Sequence, residues 1–99
     1  MSAIYKYELP TTKAEALVVM PRHAHMLTAQ TQNNRICVWA VVAPSWPTVH
    51  YRFLLLETGE AIEAIGDLNL GTYLGTCQLN GGRDVMHVFY AGIKEVGEP

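Results

Sequence analysis

The stretch Met26-Leu27-Thr28-Ala29-Gln30-Thr31-Gln32-Asn33-Asn34-Arg35-Ile36-Cys37-Val38-Trp39-Ala40-Val41-Val42-Ala43 decides the fold class. Two strand-like runs, Met26 to Gln32 and Arg35 to Ala43, flank the two-residue link Asn33-Asn34. Asparagine tolerates the positive φ that a type I′ turn needs at both central positions, so the stretch predicts a β-hairpin. In the second arm both parities are apolar: Ile36, Val38, Ala40 and Val42 against Cys37, Trp39, Val41 and Ala43. A strand covered on both faces reads this way, which places this arm in the middle of a sheet. The first arm sets Leu27 and Ala29 against Thr28, Gln30 and Gln32, the pattern of a half-solvated strand.

Working outward, a second hairpin follows from Tyr73 to Leu79 and Arg83 to Ala91 around Asn80-Gly81-Gly82. Val49 to Glu57 reads as a strand that stops at Thr58-Gly59. Ile4 to Leu9 and Ala16 to Met20 are shorter strands closed by Pro10 and Pro21. Tyr5, Tyr7 and Leu9 share one face with Lys6 and Glu8 opposite, as in an edge or outer strand. Gly75, inside Gly71-Thr72-Tyr73-Leu74-Gly75-Thr76, predicts a bulge or a close backbone approach. The segment Glu60 to Leu68 fits either a two-turn helix, with Ala61, Ile62, Ile65 and Leu68 on one stripe, or an irregular loop. The expected architecture is all-β, an antiparallel sandwich or small barrel of about seven strands with tight hairpins, with one short helix near 60–68 as the open alternative. Residues 1–99 form one domain in this reading, with a frayed tail over 94–99.

The composition excludes several classes. Of 99 residues, 49% are apolar and 16% charged, the reverse of a disordered chain. Cys37 and Cys77 are too few for a disulfide framework and are not spaced as a zinc site. Met1 to Leu9 lacks the apolar core of a signal peptide, and the run Ile36 to Ala43 is far shorter than the roughly 20 residues a membrane helix needs. No membrane partner is expected. The net charge is −2, and the basic residues are scattered rather than clustered, so nucleic acid is not an expected partner either.

Five sets of residues carry candidate chemistry. Trp46, in Ala43-Pro44-Ser45-Trp46-Pro47-Thr48, sits between two prolines on a stiffened loop, either as a contact residue or folded back over the end of the core. Glu57, Glu60, Glu63 and Asp67 fall in a stretch free of basic residues, either a solvated loop or an acidic patch that draws in a basic partner. Arg22, Arg52 and Arg83 could hold an anionic ligand through bidentate contacts. His23 and His25, two apart, would share a face if extended and are the only local hint of a metal site, with His50 or His87 as third ligand. His87 itself lies among apolar residues, either as a buried neutral imidazole bonded to backbone or water, or as a base of lowered pKa.

The order Ile4-Tyr5-Lys6-Tyr7-Glu8-Leu9, Met20-Pro21, Ile36-Cys37-Val38-Trp39-Ala40-Val41-Val42, Tyr73-Leu74-Gly75-Thr76 and His87-Val88-Phe89 resembles an uncharacterised family of small β-rich proteins common in tailed bacteriophage genomes. The likeness runs from Ile4 to Phe89. That family has no assigned activity, so the resemblance transfers no catalytic residue. It implies a phage or prophage protein made in the host bacterial cytoplasm.

Together these readings lead to a non-enzymatic binding module without a cofactor. It would contact a host or phage protein, for instance to block a host enzyme or defence complex, and self-associate as a homo-oligomer. The alternatives are a protein that sequesters a small anionic ligand such as a nucleotide, a minor virion component, or a metal-dependent enzyme built on the histidines.

Overall fold

The structure is a computed structural model that describes residues 1–65 and 69–95. Seven strands follow one another: β1 (Ala3–Glu8), β2 (Glu15–Pro21), β3 (His25–Gln32), β4 (Arg35–Val42), β5 (Thr48–Glu57), β6 (Thr72–Leu79) and β7 (Asp84–Lys94). They form two antiparallel sheets, ordered β1-β4-β3 and β2-β5-β7-β6. The all-β expectation holds, and of its two forms the sandwich is the one adopted. Among the described residues no helix is long and apolar enough to cross a membrane.

The hairpin chemistry is as the sequence implies. Asn33 and Asn34 have φ of 53° and 61°, the left-handed pair that a type I′ link requires. In the link Asn80–Gly82, φ is 55°, 71° and 91°, a run that only asparagine and glycine adopt cheaply. β4 lies in the middle of its sheet, and Ile36, Val38, Ala40 and Val42 are fully buried against the facing sheet. Tyr51, Phe53 and Leu55 of β5, Val88 of β7, Cys77 of β6 and Ala16 and Met20 of β2 supply the other half of the core.

Three features depart from the sequence reading. In β3 the alternation slips: a register shift between Met26 and Thr28 puts Met26 and Ala29 inward and leaves Leu27 exposed. A bulge adds one residue to one strand, so period-2 reasoning fails across it. In place of a helix over 60–68 there is a single 3₁₀ turn, Ile62–Ile65, and residues 66–68 lie outside the described residues. Ahead of the 3₁₀ turn the chain leaves β5 in a separate turn, where the Glu60 N–H donates to the Glu57 carbonyl at 3.1 Å and the Glu60 carboxylate takes the Glu57 N–H at 3.0 Å. Finally, β7 runs on to Lys94, whose ammonium reaches the Glu15 carboxylate at 3.3 Å, while residues 96–99 of the tail expected over 94–99 lie outside the described residues.

Two contacts set how the sheets meet. The edges β3 and β6 lie against each other, and a Cβ built on Gly75 would stand 2.6 Å from the Ala29 carbonyl oxygen. The Thr31 hydroxyl donates to the Gln78 carbonyl at 2.8 Å across the same seam. At its end the two hairpin links clasp: the Asn80 N–H donates to Asn34 Oδ1 at 2.7 Å, and Asn34 Nδ2 donates to Asn80 Oδ1 at 3.0 Å. Elsewhere the buried Tyr51 hydroxyl pins the β2–β3 turn, donating to the Pro21 carbonyl at 2.8 Å and accepting the Ala24 N–H at 3.0 Å.

Tyr51→Phe leaves both backbone groups without that partner and is expected to cost about 1–3 kcal/mol, read from the urea midpoint at constant m-value. Gly75→Ala forces the β3–β6 seam apart and is expected to cost about 1–3 kcal/mol by the same measurement. A midpoint unchanged by Gly75→Ala would show that the seam is not close-packed.

Candidate functional site

The loop between β4 and β5 is built to hold one side chain outward. Pro44 and Pro47 each fix a φ near −65°. The Trp46 N–H closes a turn onto the Ala43 carbonyl at 3.0 Å, and the Arg22 N–H ties Pro47 to the β2–β3 turn at 2.8 Å. The indole does not fold back over the core and stands 49% exposed. Its ring meets the His23 imidazole edge-on, with centroids 4.9 Å apart and planes at 84°. His23 is placed there by a left-handed φ of 67°, a conformation that costs a non-glycine residue energy and orders the turn under the contact. An exposed aromatic ring held this way loses little freedom on binding.

Next to this loop a groove of about 330 Å³ runs between the N-terminus and Pro44-Ser45, with Ala3 and Tyr5 in its wall. Tyr5 lies opposite Ala40 and faces inward by register, yet it remains 44% exposed. β1 is an edge strand of the smaller sheet, and among the described residues no strand pairs with its outer side. The segments 1–4, 21–26 and 43–49 gathered at this end contain Arg22, His23 and His25 and no carboxylate.

The acidic residues stand elsewhere. Trp46 precedes the first residue of β5, and Glu57 is its last. At 3.3 Å per residue the strand separates them by about 30 Å. Glu57, Glu60 and Glu63 are exposed at that far end, with Lys13 beside Glu57 and Glu60 across a shallow cleft. Asp67 lies outside the described residues. Trp46 and Glu57, Glu60 and Glu63 therefore lie on two separate surfaces.

The arginines do not converge either. Arg22 is in the β2–β3 turn, Arg83 precedes β7 at the opposite end of the sheet, and Arg52 lies mid-strand, bonded through Nε to the Glu15 carboxylate. His23 and His25 fail to share a face because His23 sits in the left-handed turn and β3 begins only at His25. Among the described residues no three His, Cys, Asp or Glu side chains are grouped to hold a metal ion. Cys77 is buried, and that burial pushes its thiol pKa up, away from a reactive thiolate.

One cluster escaped the sequence reading. His87 is half-buried on the outer face of the larger sheet, not enclosed. Its Nε2 lies 2.7 Å from the Thr58 hydroxyl, and its Nδ1 lies 3.1 Å from the Tyr73 hydroxyl and 3.4 Å from that of Thr76. Tyr73 and Thr76 also hydrogen-bond to each other. Each ring nitrogen faces a hydroxyl that can donate or accept, so either neutral tautomer is satisfied. Beside the ring a cavity of about 230 Å³ is lined by Leu56, Ile62, Leu70 and Phe89. Strict alternation would put Tyr73 and Thr76 on opposite faces. The register shift between Tyr73 and Gly75 turns both toward His87, and Gly75 was the only sequence signal for it. The arrangement ties the loop after β5 to β6 across β7. Among the described residues the imidazole's hydrogen-bond partners are hydroxyls.

The model of a protein family described as Domain of unknown function (DUF7352) matches residues 1–97. The chain belongs to that family. No curated protein and no solved structure matches this DUF7352 chain. The match spans both sheets, so the Trp46 loop, the His87 cluster and the β3–β6 seam all lie within the DUF7352 domain.

On the outer face of its larger sheet, Glu15 stands between Arg52 and Lys94. The Arg52 hydrogen bond, aided by Lys94, holds the Glu15 carboxyl below its ordinary value of 4.5. A carboxyl with a lowered folded pKa stabilises the fold fully above its unfolded value, and the contribution drains away as pH falls through the folded one. Glu15→Gln is therefore expected to destabilise at neutral pH, with the gap to wild type closing in urea titrations below pH 4.5. A gap that stays constant with pH would show that the ion pairs do not carry it.

Proposed function

We propose that this DUF7352 domain is a non-enzymatic binding module that works by protein–protein contact through its Trp46 end. One observation carries the reading: an indole half-exposed on a loop stiffened by two prolines, tied at both ends and braced by His23. Large aromatic anchors of this kind dominate interface energetics, and ordering them beforehand lowers the cost of binding. Arg22 and the absence of carboxylates in the surrounding segments favour a protein surface with an apolar recess for the indole and a carboxylate at its rim. The likeness to proteins of tailed bacteriophages supplies the context in this reading. The partner is a host or phage protein in the bacterial cytoplasm, and a host enzyme or defence complex is the target class.

The test is affinity capture of the tagged chain from bacterial lysate, followed by a binding titration with the recovered partner. Trp46→Ala is expected to weaken that binding by on the order of tenfold or more. The triple change Glu57→Gln, Glu60→Gln and Glu63→Gln is expected to leave it within about twofold, since these residues are about 30 Å away. A partner held equally well by Trp46→Ala overturns the assignment of the contact surface. Loss on the glutamate changes alone would move it to the acidic end.

A further inference from the structure

A two-layer sandwich has four edge strands, here β1 and β3 in one sheet and β2 and β6 in the other. Three of them are protected against pairing with another chain. β3 and β6 lie against each other along the Gly75–Ala29 seam, and each carries a bulge. β1 presents Lys6 and Glu8 on its outer face. β2 has such devices only at its ends, Glu15 and Pro21, and none along its middle. Between Ala16 and Met20 it carries no charged residue, and its pairing with β5 runs from Glu15 to Pro21 without a register shift. Leu17 and Val19 are 37% and 48% exposed on its outer face. A flat, apolar, unpaired edge is a template for strand addition, and charges, prolines or bulges are the usual means of blocking it.

The hydrogen-bond parity of β2 says which groups point into open space. The Leu55 N–H donates to the Ala14 carbonyl at 2.8 Å, and the Arg22 N–H donates to the Pro47 carbonyl at 2.8 Å. Both pairs continue the β2–β5 register, so the even-numbered residues of β2 bond to β5. The N–H and C=O groups of Glu15, Leu17 and Val19 are left on the free edge. Pro21 ends that row, because it has no N–H and its carbonyl already accepts the Tyr51 hydroxyl.

We propose that β2 pairs antiparallel with β2 of a second copy of this chain about a two-fold axis at Val18, joining the two larger sheets into one of eight strands. The axis stands perpendicular to the sheet, so outward residues meet outward residues and only same-parity registers are possible. Centred on Val18, Leu17 lies opposite Val19 of the partner subunit, and Val19 opposite the partner's Leu17. Each pair exchanges two N–H···O=C bonds, which uses every donor of Leu17 and Val19. Shifted two residues toward Pro21, Leu17 would face a residue without an N–H. Shifted the other way, Glu15 would face the apolar Val19 of the partner subunit. The self-complementary match selects a second copy over an unrelated peptide, and an isologous two-fold contact closes without forming fibres.

The test is sedimentation equilibrium of the full chain over a wide concentration range. The expected result is a reversible dimer whose dissociation constant rises by about tenfold or more in Val19→Lys, which removes two apolar cross-strand pairs and sets two ammonium groups on the seam. Val19 is exposed, so that variant is expected to keep the wild-type urea midpoint, measured below its dissociation constant. The register is read separately: a mixture of Leu17→Cys and Val19→Cys chains should yield a disulfide-linked heterodimer, while neither variant alone cross-links. A wild-type chain monomeric at the highest concentration overturns the proposal. So does a dimer unchanged by Val19→Lys, or cross-linking of Leu17→Cys with itself. Trp46 is not needed for any of these outcomes, so dimerisation and partner binding can fail independently.

Discussion

The close approach of two backbones at Gly75 and Ala29 determines how the two sheets of this domain sit on each other. With no side chain on Gly75, β6 comes near enough to β3 for the Thr31 hydroxyl to reach the Gln78 carbonyl and for the two asparagine links to bond to one another. The sandwich is thereby closed along one side. Among the described residues, the same closure leaves the opposite edges, β1 and β2, with no strand on their outer sides. That asymmetry explains why Tyr5 stays half-exposed although its register points it at the core, and why the apolar β2 edge is bare. An open side and a closed side are thus one fact seen from two directions.

The two ends of the molecule differ for a related reason. β5 is an inner strand of the larger sheet, and its length sets the separation between the Trp46 loop and the glutamates. At one end prolines, a left-handed His23 and the Tyr51 hydroxyl fix the turns, and segments 1–4, 21–26 and 43–49 carry Arg22 and no carboxylate. At the other end the Glu60 carboxylate accepts the Glu57 N–H in a tight loop beside Lys13. A surface that offers a braced aromatic ring and a surface that offers carboxylates have different partners in principle, and the fold keeps them apart.

How far the site was legible depended on whether its residues were neighbours in the chain. Trp46 with its two prolines is a local motif, although the sequence left open whether its ring points outward or folds back over the core, and only the structure shows it half-exposed. The His87 cluster is not local: Thr58, Tyr73, Thr76 and His87 come from three elements, and a bulge reverses the alternation that would have sorted them. Arg22, Arg52 and Arg83 looked equivalent as cations, yet each is committed to a different part of the sheet. His23 and His25 illustrate the converse, since a two-residue spacing aligns side chains only in an extended backbone, and His23 is left-handed.

By itself the sequence determined the strand content, the hairpin links and the central place of β4, because each follows from interactions spanning a few residues. Asn33-Asn34 and Asn80-Gly81-Gly82 specify turns through their tolerance of positive φ, and apolar residues of both parities specify a doubly covered strand. Only the tertiary structure decided which edges meet, where the bulges redirect Met26, Tyr73 and Thr76, and which surface is left open. Those depend on two backbones finding room beside each other, at Gly75 and Ala29, across a separation in sequence that no local pattern encodes.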